Sequence, residues 1–316
     1  MKNQNFRNFF FIAITLVILL LILHNSMYPI NQSDLQSGVV LNALNRFFAV
    51  NKCNVVLTQF EVRKLAHFIE YFIFGCLLTF AVRIIQKQLA GTFFFEGFLF
   101  LVFPVIDETI QLNYLGRGSS VRDVLIDFAG CVIGMGICRL IFRNSKVDTE
   151  NSGSSANQIK PVVTSKGRAK RRIFTAITIL FVLFIFHNSM FPGAQSSSQS
   201  QYVMNLLNHM LGVLRSSVTL SEHFVRKVAH FTEYFALGIL LLITIRAYRG
   251  PVRKSAFAGM FFLLLVPVID EFIQLFTPQR GSSVLDVLLD FCGGMAGMLL
   301  CYIVSHLQRR ASIVRE

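Results

Sequence analysis

The sequence predicts an all-α, polytopic membrane protein with about eight transmembrane helices, built as two parallel-oriented four-helix modules. Three observations carry that prediction. Hydrophobic residues make up 53% of the 316-residue chain and the mean hydropathy is +0.57, values outside the range of an ordinary soluble domain. The apolar residues gather in runs of roughly 20, and a helix of that length, rising ~1.5 Å per residue, spans a ~30 Å hydrocarbon layer. Finally, the runs repeat: His24-Asn25-Ser26-Met27 returns 163 residues later as His187-Asn188-Ser189-Met190. Arg63-Lys64, His67, Glu70-Tyr71 and Gly75 return at the same offset as Arg226-Lys227, His230, Glu233-Tyr234 and Gly238.

The first membrane helices are expected over Phe6–Leu23, Arg63–Arg83, Thr92–Gln111 and Ser120–Arg139. Their counterparts are Ile173–Phe186, Arg226–Arg246, Ser255–Gln274 and Ser283–Tyr302. Modules are therefore assigned to 1–143 and 169–316, joined by a flexible cytoplasmic linker over 144–168 that is rich in Ser, Asn and Gly. An even number of spans gives both modules one orientation. The first helix follows a basic start with no small-residue cleavage site and reads as a retained span. Between the first and second spans, Leu41, Leu44, Phe47 and Phe48 share a helical face, and Tyr202 to Leu214 repeats the pattern. Such segments read either as interfacial helices on the outer leaflet or as packed lids.

The net charge of +13 is not a nucleic-acid signature, because the basic residues flank apolar runs. Lys2, Arg7, Arg83, Lys87 and the group from Arg139 to Arg172 place the termini and the linker in the cytoplasm, although Arg46, Lys52, Arg63, Lys64, Arg117 and Arg122 remain outside. The six cysteines lack CxxC spacing, and five lie in apolar runs, so they read as core residues.

Polar residues then converge on one end of each module. Arg63, His67, Glu70 and Tyr71 share a helix face by their i, i+4, i+7, i+8 spacing. Asp107, Glu108 and Gln111 follow Pro104, which is expected to bend its helix. After the turn Arg117-Gly118-Ser119-Ser120, Asp123 and Asp127 stand one turn apart, on a face continued by Gly130 and Gly134. A charge at a helix centre in lipid costs ~2.5–3.5 kcal/mol. His67, Glu70, Asp107, Glu108 and Asp127 should therefore face one another, as catalytic candidates, with Arg63 and Arg117 as counter-charges. Their second-copy counterparts are His230, Glu233, Asp270, Glu271 and Asp290.

Substrate-binding candidates are Arg63, Tyr71, Gln111, Arg117, Ser119, Ser120 and Asp123, with Arg226, Tyr234, Gln274, Arg280, Ser282, Ser283 and Asp286 in the second module. Blander readings stand beside these. Asp123 fits the capping box of Ser120 as well as a ligand role. The arginine turn could cradle phosphate or be an ordinary turn. His67 with Glu70 could bind metal, move protons or lock two helices together. Tyr71 reads more readily as an interfacial anchor, and snorkelling to the surface is an alternative for Arg63-Lys64.

At R-K-x-x-H-F-x-E-Y with a following Gly, at D-E-x-x-Q and at R-x-S-S-x-x-D-x-x-x-D-F-x-G, the chain resembles the VanZ-like family of bacterial membrane proteins. Those motifs stand at Arg63 to Gly75, Asp107 to Gln111 and Arg117 to Gly130, and again at Arg226 to Gly238, Asp270 to Gln274 and Arg280 to Gly293. Leu285 in place of Arg122 and Phe224 in place of Glu61 make Arg122 and Glu61 poor candidates for a shared role.

The resemblance implies a plasma-membrane protein of the cell envelope, associated with lowered susceptibility to glycopeptides such as teicoplanin. The partner expected is a membrane lipid or lipid-linked cell-wall precursor, bound through its anionic group. An intramembrane hydrolase or transferase is the competing expectation. In it His67 and Glu70 move protons, while Asp107, Glu108 and Asp127 bind a divalent cation such as Mg2+ or Mn2+ or orient water. A transporter fits less well, because the cytoplasmic halves of the helices read as apolar.

Overall fold

The structure, a computed structural model, describes residues 2–86, 92–142, 165–214, 218–248 and 252–313. All of the regular structure among them is helical. The order is α1 (Lys2–Asn25), α2 (Ile30–Val50), α3 (Gln59–Gln86), α4 (Phe93–Gln111) and α5 (Val121–Ile141). It is followed by α6 (Ser165–Ser189), α7 (Gly193–Val213), α8 (Glu222–Ala247), α9 (Val252–Gln274) and α10 (Val284–Ile313). The chain divides into two compact units, 1–160 and 161–316, each with five helices. Most of the expected linker, including Lys146 and Lys160, lies outside the described residues, as does Lys87. Its last residues open α6, which begins at Ser165.

Among the described residues, six helices are long and apolar enough to cross a membrane, or seven if α6 and α7, bent by 106° at their break, form one span. The expectation of eight counts α4 as well. That helix has 19 residues but carries Glu96, Asp107 and Glu108. All three acids are buried, so α4 hides its charge inside the unit rather than showing it to lipid. It runs unbroken through Pro104.

Within the first unit, α3 and α5 form the central pair. A Cβ on Gly130 or Gly134 would collide with the carbonyl oxygens of Phe68 or Phe72, and one on Gly75 with that of Cys131. The helices therefore touch backbone to backbone, the packing that small residues permit in a membrane. Tyr71, Phe74, Phe100, Cys131 and Met135 fill the core beside this seam, with Leu19 and Ile22 of α1. In the second unit Gly293 and Gly297 meet Phe231 and Phe235 of α8 in the same way. All six cysteines are free, and Cys53 and Cys292 are exposed.

Helix α2 has no buried residue. Leu41, Leu44 and Phe48 are half-buried towards α3, while Leu35, Val39, Phe47 and Val50 are exposed. In α7 the exposed apolar residues include Tyr202, Leu206, Met210 and Val213. Asn45 ties the loop after α2 to the helix, accepting from the Leu57 N–H at 2.8 Å and donating to its carbonyl at 3.1 Å. Asn208 does the same with Leu220 at 2.8 and 3.1 Å.

The two units differ at their helix starts and at the ends away from the arginine turn. Thr58 and Ser221 each accept the N–H three residues on, at 3.3 and 3.2 Å, but in the first unit Glu61 also accepts the Thr58 N–H at 2.7 Å and closes a capping box. The exchange of Glu61 for Phe224 is thus a change of cap. Near the start of α4, Arg139 donates to Glu96 at 2.8 Å, and Thr92 donates to the same carboxylate at 2.8 Å. Glu96 is fully buried. The end expected to be apolar therefore holds an ion pair in the first unit. In the second unit Gly259 and Tyr302 stand at these positions.

Candidate functional site

Three helices deliver the polar residues of the first unit to one place: α3 brings His67 and Glu70, α4 brings Asp107, Glu108 and Gln111, and α5 brings Asp123 and Asp127. Asp107 and Asp127 are fully buried and Glu108 nearly so. The second unit buries Asp270, Glu271 and Asp290 to the same degree. These three acids of each unit therefore face its interior, while His67 and Glu70 are half-buried.

Each acid has a different partner. Glu108 accepts the backbone N–H of Ser120 at 2.7 Å, and Glu271 accepts that of Ser283 at 2.8 Å. Ser120 is the N-cap of α5 and caps with no side-chain bond of its own. The capping work suggested for Asp123 is therefore done by Glu108 from the neighbouring helix. Asp123 is instead ion-paired with Lys64, and Asp286 with Lys227. Arg63 pairs with Asp34 of α2 at 3.0 Å. The pair Arg63-Lys64 thus faces acids, Asp34 and Asp123, rather than only snorkelling to the surface. Tyr71 and Tyr234 are wholly buried, so neither anchors at an interface.

The end of α1 completes the site, and the sequence reading had used it only to detect the repeat. Asn25 donates to Glu70 at 3.2 Å, and Asn188 donates to Glu233 at 2.8 Å. Gln111 donates to Asp107 at 3.3 Å and to Ser26 at 3.4 Å. Arg117 donates to the Ser26 carbonyl at 3.5 Å, and Arg280 to that of Asn188 at 3.2 Å. The recurrence of His-Asn-Ser-Met just beyond an apolar run was the signal that could have found Asn25 and Ser26.

Arg117 and Arg280 lie in the turns, where burial lowers the guanidinium pKa from its ordinary value and Asp107 or Asp270 opposes the shift. Arg117 is half-buried, and in Arg280 the Nε is buried with no hydrogen-bond partner. A guanidinium held this way has spare donors for an anion. Ser119 and Ser282 likewise have buried hydroxyls without a partner.

His67, Asp107 and Asp127 form one group whose potential ligand atoms lie within 4.8 Å of one another, and His230, Asp270 and Asp290 form another. His67 Nδ1 is 3.8 Å from Asp127, and His230 Nδ1 is 3.7 Å from Asp290, beyond hydrogen-bond reach. Glu70 and Glu108 stand outside this group. The arrangement can hold a cation, move a proton or present an anion-binding turn.

Fold and site together define a multi-pass helical membrane protein with one buried acid–base cluster in each of two tandem units. The chain belongs to the VanZ/LLP1 family, whose profile matches it twice, at residues 10–143 and 174–305. No curated protein and no solved structure matches it significantly.

Proposed function

We propose that this protein works at the outer leaflet of the bacterial plasma membrane, binding a lipid-linked anionic envelope component and so lowering susceptibility to glycopeptides such as teicoplanin. One observation carries the reading. In each unit the amphipathic helix is bonded to the arginine turn: the Ile30 N–H donates to Leu115 at 3.4 Å, and the Gly193 N–H to Pro278 at 3.0 Å. A helix with a polar and an apolar face lies in the headgroup plane. Tied to it, Arg117 and Arg280 sit at the height where lipid phosphates lie, with spare donors. The flanking positive charges argue that both termini, and the stretch between the units, face the cytoplasm.

Binding alone suffices for masking a lipid-linked precursor. A hydrolase or transferase acting on a lipid phosphate is the second reading, favoured by His67 Nδ1, which is buried and without a hydrogen-bond partner. Protein in lipid nanodiscs, with and without a polyprenyl phosphate, distinguishes the two. The expected result is saturable binding of the phosphate lipid, lost in the double variant Arg117→Gln, Arg280→Gln, without release of product. Binding that survives the double variant overturns the anion role of the turn, and released inorganic phosphate favours the enzyme. Glycopeptide susceptibility of cells carrying the same variant checks the envelope role.

A further inference from the structure

We propose that each unit binds one divalent cation of the Mg2+/Mn2+ class, held by His67, Asp107 and Asp127 in the first unit and by His230, Asp270 and Asp290 in the second. The three ligands come from three different helices, yet their ligand atoms lie within 4.8 Å of one another. Oxygens and nitrogens bound octahedrally about 2.1 Å from an ion sit about 3 Å apart, so a small closure brings the set to that geometry.

The unsatisfied atoms point to an ion independently of the clustering. Both carboxylate oxygens of Asp127, Oδ1 of Asp107 and Nδ1 of His67 are buried with no hydrogen-bond partner. The same atoms of Asp290, Asp270 and His230 are in the same state. Both aspartates of each set are fully buried. Buried polar groups are normally bonded, and carboxylates in a low dielectric need a counter-charge. Several neighbouring donors are engaged elsewhere: Lys64 with Asp123, the Ser120 N–H with Glu108, and Asn25 with Glu70. A divalent ion would meet the unfilled lone pairs and supply the missing charge together.

The surrounding bonds suit such a site. Gln111 holds Oδ2 of Asp107 at 3.3 Å and leaves Oδ1 free, and Gln274 holds Oδ2 of Asp270 at 3.2 Å. Outer partners of this kind orient a ligating carboxylate. Two carboxylates outnumber one imidazole, which favours Mg2+ or Mn2+ over thiolate-seeking metals. Cys131, the buried thiol of this region, is directed to the Tyr71 carbonyl at 3.3 Å.

The full chain, purified in detergent, stripped with EDTA and titrated with Mn2+ alone, tests the assignment by electron paramagnetic resonance. Two Mn2+ ions per chain are expected, with nitrogen hyperfine coupling from the histidines. Asp127→Asn should leave one ion, and Asp127→Asn with Asp290→Asn none. The pair His67→Gln and His230→Gln, at partly exposed side chains, should abolish the nitrogen coupling and weaken binding by more than about tenfold. Glu61→Gln, in the first turn of α3 outside the cluster, should bind like the unaltered chain. Unaltered protein that takes up less than one Mn2+ at millimolar concentration overturns the proposal, whatever the variants do. So does nitrogen coupling that persists in the histidine double variant. Because no lipid is present, this outcome is separate from the fate of the lipid-binding reading, on which the cation site does not rest.

Discussion

Glu108 on α4 accepts the backbone N–H of Ser120 at 2.7 Å, so a carboxylate from one helix caps the start of the next. The second unit repeats the bond between Glu271 and Ser283 at 2.8 Å. A charged acceptor at a helix N-terminus satisfies an orphan amide and meets the positive end of the helix dipole. The bond also holds the arginine turn closed, since 12 residues separate its ends.

Replacing Glu108 by Ala leaves that amide without its acceptor. The first unit should lose about 1–3 kcal/mol of stability. Unfolding in graded SDS, followed by circular dichroism, measures the loss, and an unshifted transition would mean that another group caps α5.

Gly134 and Gly136 make a matched pair on α5. A Cβ at Gly134 would strike the Phe72 carbonyl, whereas one at Gly136 meets nothing within 4 Å. Gly134→Ala should destabilise by about 1–3 kcal/mol through forced separation of α3 and α5. Gly136→Ala should be neutral or stabilise by up to about 1 kcal/mol, because alanine favours helix. Equal effects of the two in a thermal-shift assay would contradict the close seam.

Lys64 and Asp123 are both more than three-quarters buried, so their ion pair should be coupled more strongly than a surface pair. A double-mutant cycle with Lys64→Met and Asp123→Asn is expected to give an interaction energy of about 0.5–3 kcal/mol. Strict additivity in the same unfolding measurement would show that the two residues act separately.

For α2, the exposed side chains Leu35, Val39, Phe47 and Val50 predict contact with lipid. A fluorophore on a cysteine replacing Phe47, in a cysteine-free background, should be quenched by lipid-borne nitroxides. One at Ser37, on the half-buried side where Gln59 donates to its hydroxyl, should be quenched less by the same nitroxides. Reversed sensitivities would place the helix away from the bilayer, and the headgroup height of Arg117 would lose its support.

Much of the fold could be read directly. The spacing of His67 and Glu70 on one helix face, the tandem repeat and the membrane-length runs all follow from periodicity within single segments. The site was legible as a set of residues but not as a set of bonds. Asp123 looked like a cap because Ser120 stands three residues before it, yet the capping group comes from Glu108. Tyr71 looked like an anchor from its residue type alone, although its neighbours in space bury it. Glu96 and Arg139 are 43 residues apart, and no local pattern links them.

By itself, the sequence determined the helices, their duplication and the end of each module where the acids gather, because helical period and hydropathy are properties of neighbouring residues. Only the tertiary structure decided which acid serves which purpose. Glu108 caps, Glu70 is held by Asn25, Asp123 answers Lys64, and Asp107 and Asp127 are left facing His67 with unfilled lone pairs. The reason is physical: a carboxylate's partner depends on distances of a few ångströms between different helices, and for Asp123 with Lys64 and Asp127 with His67 the backbone contact of α5 with α3 at Gly130 and Gly134 sets them.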